Sequence, residues 1–127
     1  TIEFVTALGD AVLDDQIAPA SVDRILISLV LHQCPNSVKV SILDNAFRLL
    51  KPSGQILIAD FGKQRSLMMQ LAFNLVRLTD GYDDTKANKN GQLPRFMKDA
   101  GFVDVQERMS IATLTGSISI YVGNKPS

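Results

Sequence analysis

The order of apolar and polar positions at the start of the chain predicts two strands. The opening segment, TIEFVTALGDA, alternates apolar and polar residues over Ile2 and Phe4 and then reaches Gly9-Asp10, which predicts a strand ending in a loop. After a polar loop that contains a proline, the run VDRILISLVLH is apolar, β-branched and too short for a free-standing helix. It predicts a strand buried on both faces, which requires covering helices.

A helix and a third strand follow. In NSVKVSILDNAFRLLKP, Asn36 or Ser37 can cap the amino end of the helix, and Pro52 and Gly54 end it. The apolar residues of this segment share one helical face; they are Ile42, Leu43, Ala46, Phe47 and Leu50. QILIAD then predicts another short strand, so that strand, helix and strand form a βαβ unit with parallel strands.

The remaining sequence predicts two further helices and a hairpin. Apolar residues recur at helical spacing from Leu67 to Leu78, and a polar segment, TDGYDDTKANKNG, follows as a loop or lid. LPRFMKDAG predicts a short helix with Pro94 near its start and Gly101 just past its end. FVDVQERMSIATL and SISIYVG, joined by a Thr-Gly turn, predict an antiparallel hairpin. This order predicts an α/β domain whose parallel sheet has an antiparallel edge.

The composition narrows the class of partner. The 127 residues are 46% hydrophobic, enough for a core, and 13 basic residues balance 13 acidic ones without a block of like charge. A nucleic-acid or membrane-surface binder would carry a charged patch, so a small molecule is the expected partner. The longest apolar run falls far short of the roughly 20 residues of a membrane span. One cysteine and no leading signal segment predict a cytoplasmic protein.

Four polar residues lie at the predicted carboxyl ends of strands. They are Asp10, Ser28, His32 and Asp60. Because ligands of such sheets bind outside these ends, we expect the four side chains on the rim where a ligand binds.

Four segments in this order resemble the class I S-adenosylmethionine-dependent methyltransferases: GDA after a strand, VDRILISLVLH, RLLKPSGQILIAD and LPRFMKDAGFVDV. The resemblance covers nearly the whole chain and corresponds to the C-terminal half of their catalytic domain. It implies a single domain over residues 1–127, a partial Rossmann-like sheet and methyl transfer to a small-molecule acceptor. Where the family has Pro-Gly-Gly after the helix, this chain has Pro52-Ser53-Gly54, a change that many turns tolerate.

The resemblance also implies which residues hold the cofactor. Asp10, beside Gly9, would accept a hydrogen bond from the adenine amino group of S-adenosylmethionine, and the backbone of Ala11 would reach the ring. Ser28 and Leu29 would lie beside the methionine part, where backbone carbonyls can hold its ammonium group. The simpler alternatives are that Asp10 stabilises a turn and that Ser28 is a small residue satisfied within the sheet.

Two interpretations stay open for the residues nearest the acceptor. His32, the sole histidine, is a candidate base when methyl goes to a hydroxyl or an amine, or else a pocket wall that positions or packs. Asp60, Phe61, Arg65 and Tyr82 are candidate lining of the acceptor pocket. Asp60 could instead cap the next helix or pair with the lysine that follows.

No metal site or nucleophilic cysteine is predicted. His32 and Cys34 could form a pair of ligands, but a site needs three or four and no partner cluster is visible. Asp80, Asp83 and Asp84 do not fit the spacing of a calcium loop. The sequence shows no base or positive environment that would activate Cys34.

The glycine-rich loop of the resembling enzymes, which lets backbone approach the cofactor, has no counterpart here. The acidic residue that holds the ribose hydroxyls is also absent, so the chain contains about half of a cofactor site. It is then either the C-terminal part of a methyltransferase or a truncated, non-catalytic module that self-associates or binds a partner protein. A bared sheet edge and apolar face predict a homo-oligomer, such as a dimer, or a missing N-terminal half.

Overall fold

A computed structural model describes residues 4–11, 16–62, 71, 74, 78, 91–114 and 116–127 of the chain. The elements in these ranges are β1 (Val22–Ser28), a 3-10 helix (Leu31–Gln33), α1 (Asn36–Leu49), β2 (Leu50–Phe61), α2 (Leu93–Asp99), β3 (Val103–Thr113) and β4 (Gly116–Asn124). Strands and helices therefore alternate through β2, and a pair of strands closes the chain.

One sheet of four strands, in the order β1-β2-β4-β3, organises the described residues. β1 is parallel to β2, and α1 connects them. β4 is antiparallel to both of its neighbours. The sheet confirms the predicted α/β class, with parallel strands and a C-terminal antiparallel hairpin.

The main core lies on the face of the sheet that carries α1 and α2. Alternate residues of β2, Ile56 and Ile58, face the same side as Tyr121 of β4, because residues opposite each other in a ladder share a face. Leu43 of α1 and Met97 of α2 belong to the same buried cluster and are fully buried. The predicted apolar face of α1 is thus the face that meets the sheet.

The predicted ends of α1 are wrong by one to a few residues. Asn36 is the first helical residue, Pro35 takes the N-cap position, and no side chain caps it. Since Asn36 and Ser37 are already inside the first turn, neither side chain can act as the N-cap. At the other end the helix stops at Leu49, and fully buried Leu50 already belongs to β2.

The predicted turn after α1 is a loop within β2. The partners on β1 step from Val22↔Leu50 to Arg24↔Gln55, so that residues 51–54 loop out of the ladder. Ser53 has a φ of 66°, the left-handed region that glycine prefers. A Cβ on Gly54 would lie 2.8 Å from the Lys51 carbonyl oxygen, which explains a glycine here.

Two predictions for the first strands are wrong. Residues 4–8 form no strand, and Phe4 is 93% exposed. A strand needs a partner, and β1 pairs with β2 alone among the described residues. β1 is therefore an edge strand; Leu26 is 70% exposed, because the described helices cover only the opposite face.

The second half of the chain follows its predictions where it is described. Pro94 lies in the first turn of α2, and Gly101, with a φ of 109°, follows the end of this helix. Positions 71, 74 and 78 are helical as predicted. The side chains of Leu71 and Leu78 are largely exposed, and neither belongs to an apolar cluster of the described residues. The predicted loop or lid lies outside the described residues. None of the described helices has the length and apolar character to cross a bilayer.

Candidate functional site

Asp60, near the carboxyl end of β2, is fully buried and binds the 3-10 helix that follows β1. Its Oδ2 accepts hydrogen bonds from the backbone N–H groups of Leu31 at 2.8 Å and His32 at 3.3 Å. Its Oδ1 accepts from the backbone N–H of Phe61 at 2.8 Å and lies 2.7 Å from Nδ1 of His32. A buried carboxyl group is costly unless hydrogen-bonded, and here both oxygens are.

His32 is buried against this carboxyl group and against an aromatic ring. Because a carboxylate only accepts hydrogen bonds, the short contact with Asp60 favours the tautomer in which Nδ1 carries the hydrogen and Nε2 the lone pair. The ring of Phe61 meets the imidazole edge-on, with the centroids 4.9 Å apart and the planes at 86°. The structure therefore brings together three predicted site residues, His32, Asp60 and Phe61.

Further buried polar groups surround the end of β2. Ser119 of β4 lies opposite Asp60 in the ladder, is fully buried, and donates from its hydroxyl to Oε1 of Glu107 at 2.7 Å. Gly62 packs so closely on Ser119 and Tyr121 that a Cβ would collide with both side chains. The amino-acid sequence does not predict this cluster, because single serines in an alternating strand carry no signal of their own.

The turn after β1 is held in a strained conformation. Leu29 has a φ of 53°, which costs about 1–3 kcal/mol for a non-glycine residue. Its N–H donates to the Ala59 carbonyl at 2.8 Å, next to the Asp60 contacts just described. Ser28, the last residue of β1, is exposed. Ser28 thus lies at the carboxyl end of β1, as predicted, and Leu29 follows it directly.

The Gly9–Ala11 segment is a tight turn attached to α1. The backbone N–H of Ala11 donates a hydrogen bond to the carbonyl of Leu8 at 3.1 Å. The side-chain amide of Asn45 donates to the carbonyls of Gly9 and Ala11, at 2.8 Å each. The carboxyl group of Asp10, between them, is exposed and makes no hydrogen bond within the described part of the chain.

A small apolar cavity lies between this turn, β1 and α1. Its volume is about 160 Å³, and its lining includes Gly9, Ile25 and Ile27 of β1, and Ile42 and Asn45 of α1. The turn that carries Asp10 therefore lies beside the edge strand whose end carries Ser28 and Leu29. The other two predicted pocket residues, Arg65 and Tyr82, lie outside the described residues.

Solved methyltransferase structures resemble this structure at low sequence identity. An S-adenosylmethionine-dependent methyltransferase from Methanosarcina mazei matches with 19% identity and a TM-score of 0.66, over 98% of this chain and 67% of its own. Another from Thermotoga maritima matches with 14% identity and a TM-score of 0.71, over 92% and 61%. The described residues adopt a methyltransferase-like fold.

This methyltransferase-like fold is also found in a complex with ligands. Phosphoethanolamine N-methyltransferase 2 from Haemonchus contortus, solved with phosphomonomethylethanolamine and S-adenosylhomocysteine, has 14% identity and a TM-score of 0.64. The match covers 88% of this chain, which spans 35% of the Haemonchus enzyme. No family model and no curated protein sequence matches the chain.

Proposed function

We propose that this chain forms part of a cytoplasmic methyltransferase that transfers a methyl group from S-adenosylmethionine to a small-molecule acceptor. The observation that carries the proposal is the cluster of His32, Asp60 and Phe61 at the carboxyl ends of parallel strands. The likeness to methyltransferases solved with S-adenosylmethionine or S-adenosylhomocysteine supports it. Balanced charge is consistent with a small-molecule acceptor and not with nucleic acid.

The described residues fit the adenine and methionine parts of the cofactor. The exposed Asp10 carboxyl group offers an acceptor for the adenine amino group. The Ala11 N–H already donates to Leu8, so this residue would contact the ring through its remaining surface. At the end of β1, the backbone carbonyls of Ser28 and Leu29 would hold the ammonium group.

Within this proposal His32 is the base and Asp60 positions it. The bound cofactor supplies a methyl group on a positively charged sulfur. As the acceptor hydroxyl or amine gains the methyl group, its proton passes to Nε2 of His32. The Asp60 carboxylate at Nδ1 keeps the ring in the required tautomer and stabilises the imidazolium that forms.

The cofactor assignment can be tested by calorimetric titration. We expect S-adenosylhomocysteine to bind this chain in a saturable manner, and we expect Asp10→Ala to weaken binding about tenfold or more because an acceptor for the adenine amine is lost. Asp44→Ala on α1, another exposed carboxyl group, is the matched control and should bind as the unaltered chain does. Equal binding by the Asp10 and Asp44 variants would exclude the proposed adenine contact.

A second candidate function is that of a non-catalytic module that self-associates. The observation that favours it is the exposed apolar surface of β1 and of the turn after it, where Leu26 is 70%, Leu29 42% and Val30 45% exposed. An edge strand with apolar side chains can pair with a second copy of itself. The chain spans about a third of the Haemonchus enzyme, and self-association through this strand would require no cofactor site.

Self-association predicts a concentration-dependent mass in light scattering. Leu26→Lys should shift the protein towards monomer, since a charged side chain on an edge strand opposes pairing, while stability changes little at this exposed position. Leu114→Lys, at a 96% exposed residue between β3 and β4, is the control and should leave the mass unchanged. A monomeric unaltered chain at all concentrations would refute this candidate.

A further inference from the structure

We propose that Asn45 is a positioning residue for the nucleoside: it fixes the turn that presents Asp10 to an exocyclic amino group. This inference rests on the proposed function, because it takes the adenine amine as the ligand of Asp10. The hydrogen bonds of Asn45 go to backbone carbonyls and not to the carboxyl group of Asp10. Asn45 acts through the two peptide groups that flank Asp10.

The geometry is that of a two-pronged clamp. An asparagine side chain has two amide hydrogens, and Asn45 uses its nitrogen to bond the carbonyls of Gly9 and Ala11, at 2.8 Å each. These carbonyls belong to the residues immediately before and after Asp10. The bond from the Ala11 N–H to the Leu8 carbonyl closes the same turn. Three hydrogen bonds therefore fix the backbone around one exposed carboxyl group.

The clamp is anchored in the core. Asn45 lies on α1 between Ile42, which lines the cavity beneath Gly9, and Ala46, which is buried. Leu43 and Ala46 belong to the buried core cluster that includes residues of the sheet. Residues 4–10 are otherwise exposed and form neither helix nor strand, so the described packing gives this segment little support besides Asn45. Loss of the clamp should free the turn without disturbing the core.

The chemistry of Asp10 specifies the class of nucleobase. A carboxylate accepts hydrogen bonds and repels a carbonyl oxygen, so a positioned Asp10 distinguishes a 6-amino purine from a 6-oxo purine. A mobile Asp10 could not distinguish the two purines, because its carboxylate would turn away from the oxo group. The ratio of the affinities for the two purines thus reports on the position of Asp10. A general loss of stability would weaken the binding of both purines and would not change this ratio.

The experiment compares S-adenosylhomocysteine with its 6-oxo analogue, S-inosylhomocysteine, by calorimetric titration of the unaltered chain and of Asn45→Ala. We expect the unaltered chain to prefer the amino compound by about tenfold or more, and the variant to lose most of this preference. Asn45→Asp, which is similar in size but lacks the two amide donors, should lose the preference for the amino compound as Asn45→Ala does. Ser41→Ala is the control, since its hydroxyl bonds the Ser37 carbonyl on the same helix at 3.1 Å and does not contact the turn.

Hydrogen exchange of the Ala11 amide separates this inference from the proposed function. We expect exchange to accelerate in Asn45→Ala and not in Ser41→Ala, in the absence of any ligand. Unchanged exchange, or an amino preference that survives in both Asn45 variants, would overturn the clamp while leaving the proposed function intact. Failure of the unaltered chain to bind either compound would overturn the nucleoside role together with the proposed function, whatever the exchange shows.

Discussion

Asp60→Ala should lower the free energy of unfolding by about 3–5 kcal/mol, as expected when one partner of a buried polar network is removed. The substitution leaves three buried backbone N–H groups without their carboxyl acceptor, those of Leu31, His32 and Phe61. It also removes the hydrogen-bond partner at Nδ1 of the His32 ring. Urea denaturation followed by circular dichroism measures the loss.

Asp60→Asn separates shape from hydrogen bonding. The amide keeps the size of the side chain but offers one acceptor oxygen to a site whose backbone partners all donate, so we expect a loss of roughly 1–3 kcal/mol. The control is Asp44→Asn on the exposed side of α1, which should change stability by less than about 0.5 kcal/mol. If Asp60→Ala cost no more than the control, the carboxyl group would not be the link between β2 and the turn after β1.

Gly62→Ala should cost roughly 1–3 kcal/mol, the usual penalty for overpacking a filled site. A Cβ at this position would overlap the hydroxyl oxygens of Ser119 and Tyr121 and lie 2.8 Å from the Cβ of Ser119. Both side chains are buried, so neither can swing into solvent. Urea denaturation again gives the free energy, and an unchanged midpoint would show that the chain after β2 has room to move.

Two comparisons identify the collision as the cause. Gly9→Ala adds the same methyl group where the nearest atom, on Ile42, would be 3.5 Å away, so stability should stay within about 0.5 kcal/mol. Neither glycine has a positive φ, so backbone strain does not enter the comparison. Combining Gly62→Ala with Tyr121→Phe should recover part of the loss, and strictly additive effects would argue against a contact between these residues.

The sequence by itself determined the class of fold and, within the described residues, the order of the α-helices and strands from β1 onwards. A helix that packs on a sheet needs apolar residues at every third or fourth position, as α1 and α2 have, and a short apolar run between turn residues, as in β2, is typical of a strand. The resemblance to methyltransferases, read from four segments, agrees with the solved structures that match the fold. The sequence also indicated that His32 and Asp60 lie near strand ends.

Only the tertiary structure decided what those residues touch. Asp60 and His32 are 28 positions apart, and Asn45 and Gly9 are 36 apart, so no local pattern could pair them. The same limit explains the errors: apolar residues at Phe4 and Leu26 signal a capacity for burial, but burial also requires a covering surface, which the described residues do not supply. The spacing of apolar residues determines which face of a helix or strand is suited to burial. The contacts of that face depend on how elements that are distant in the sequence pack together.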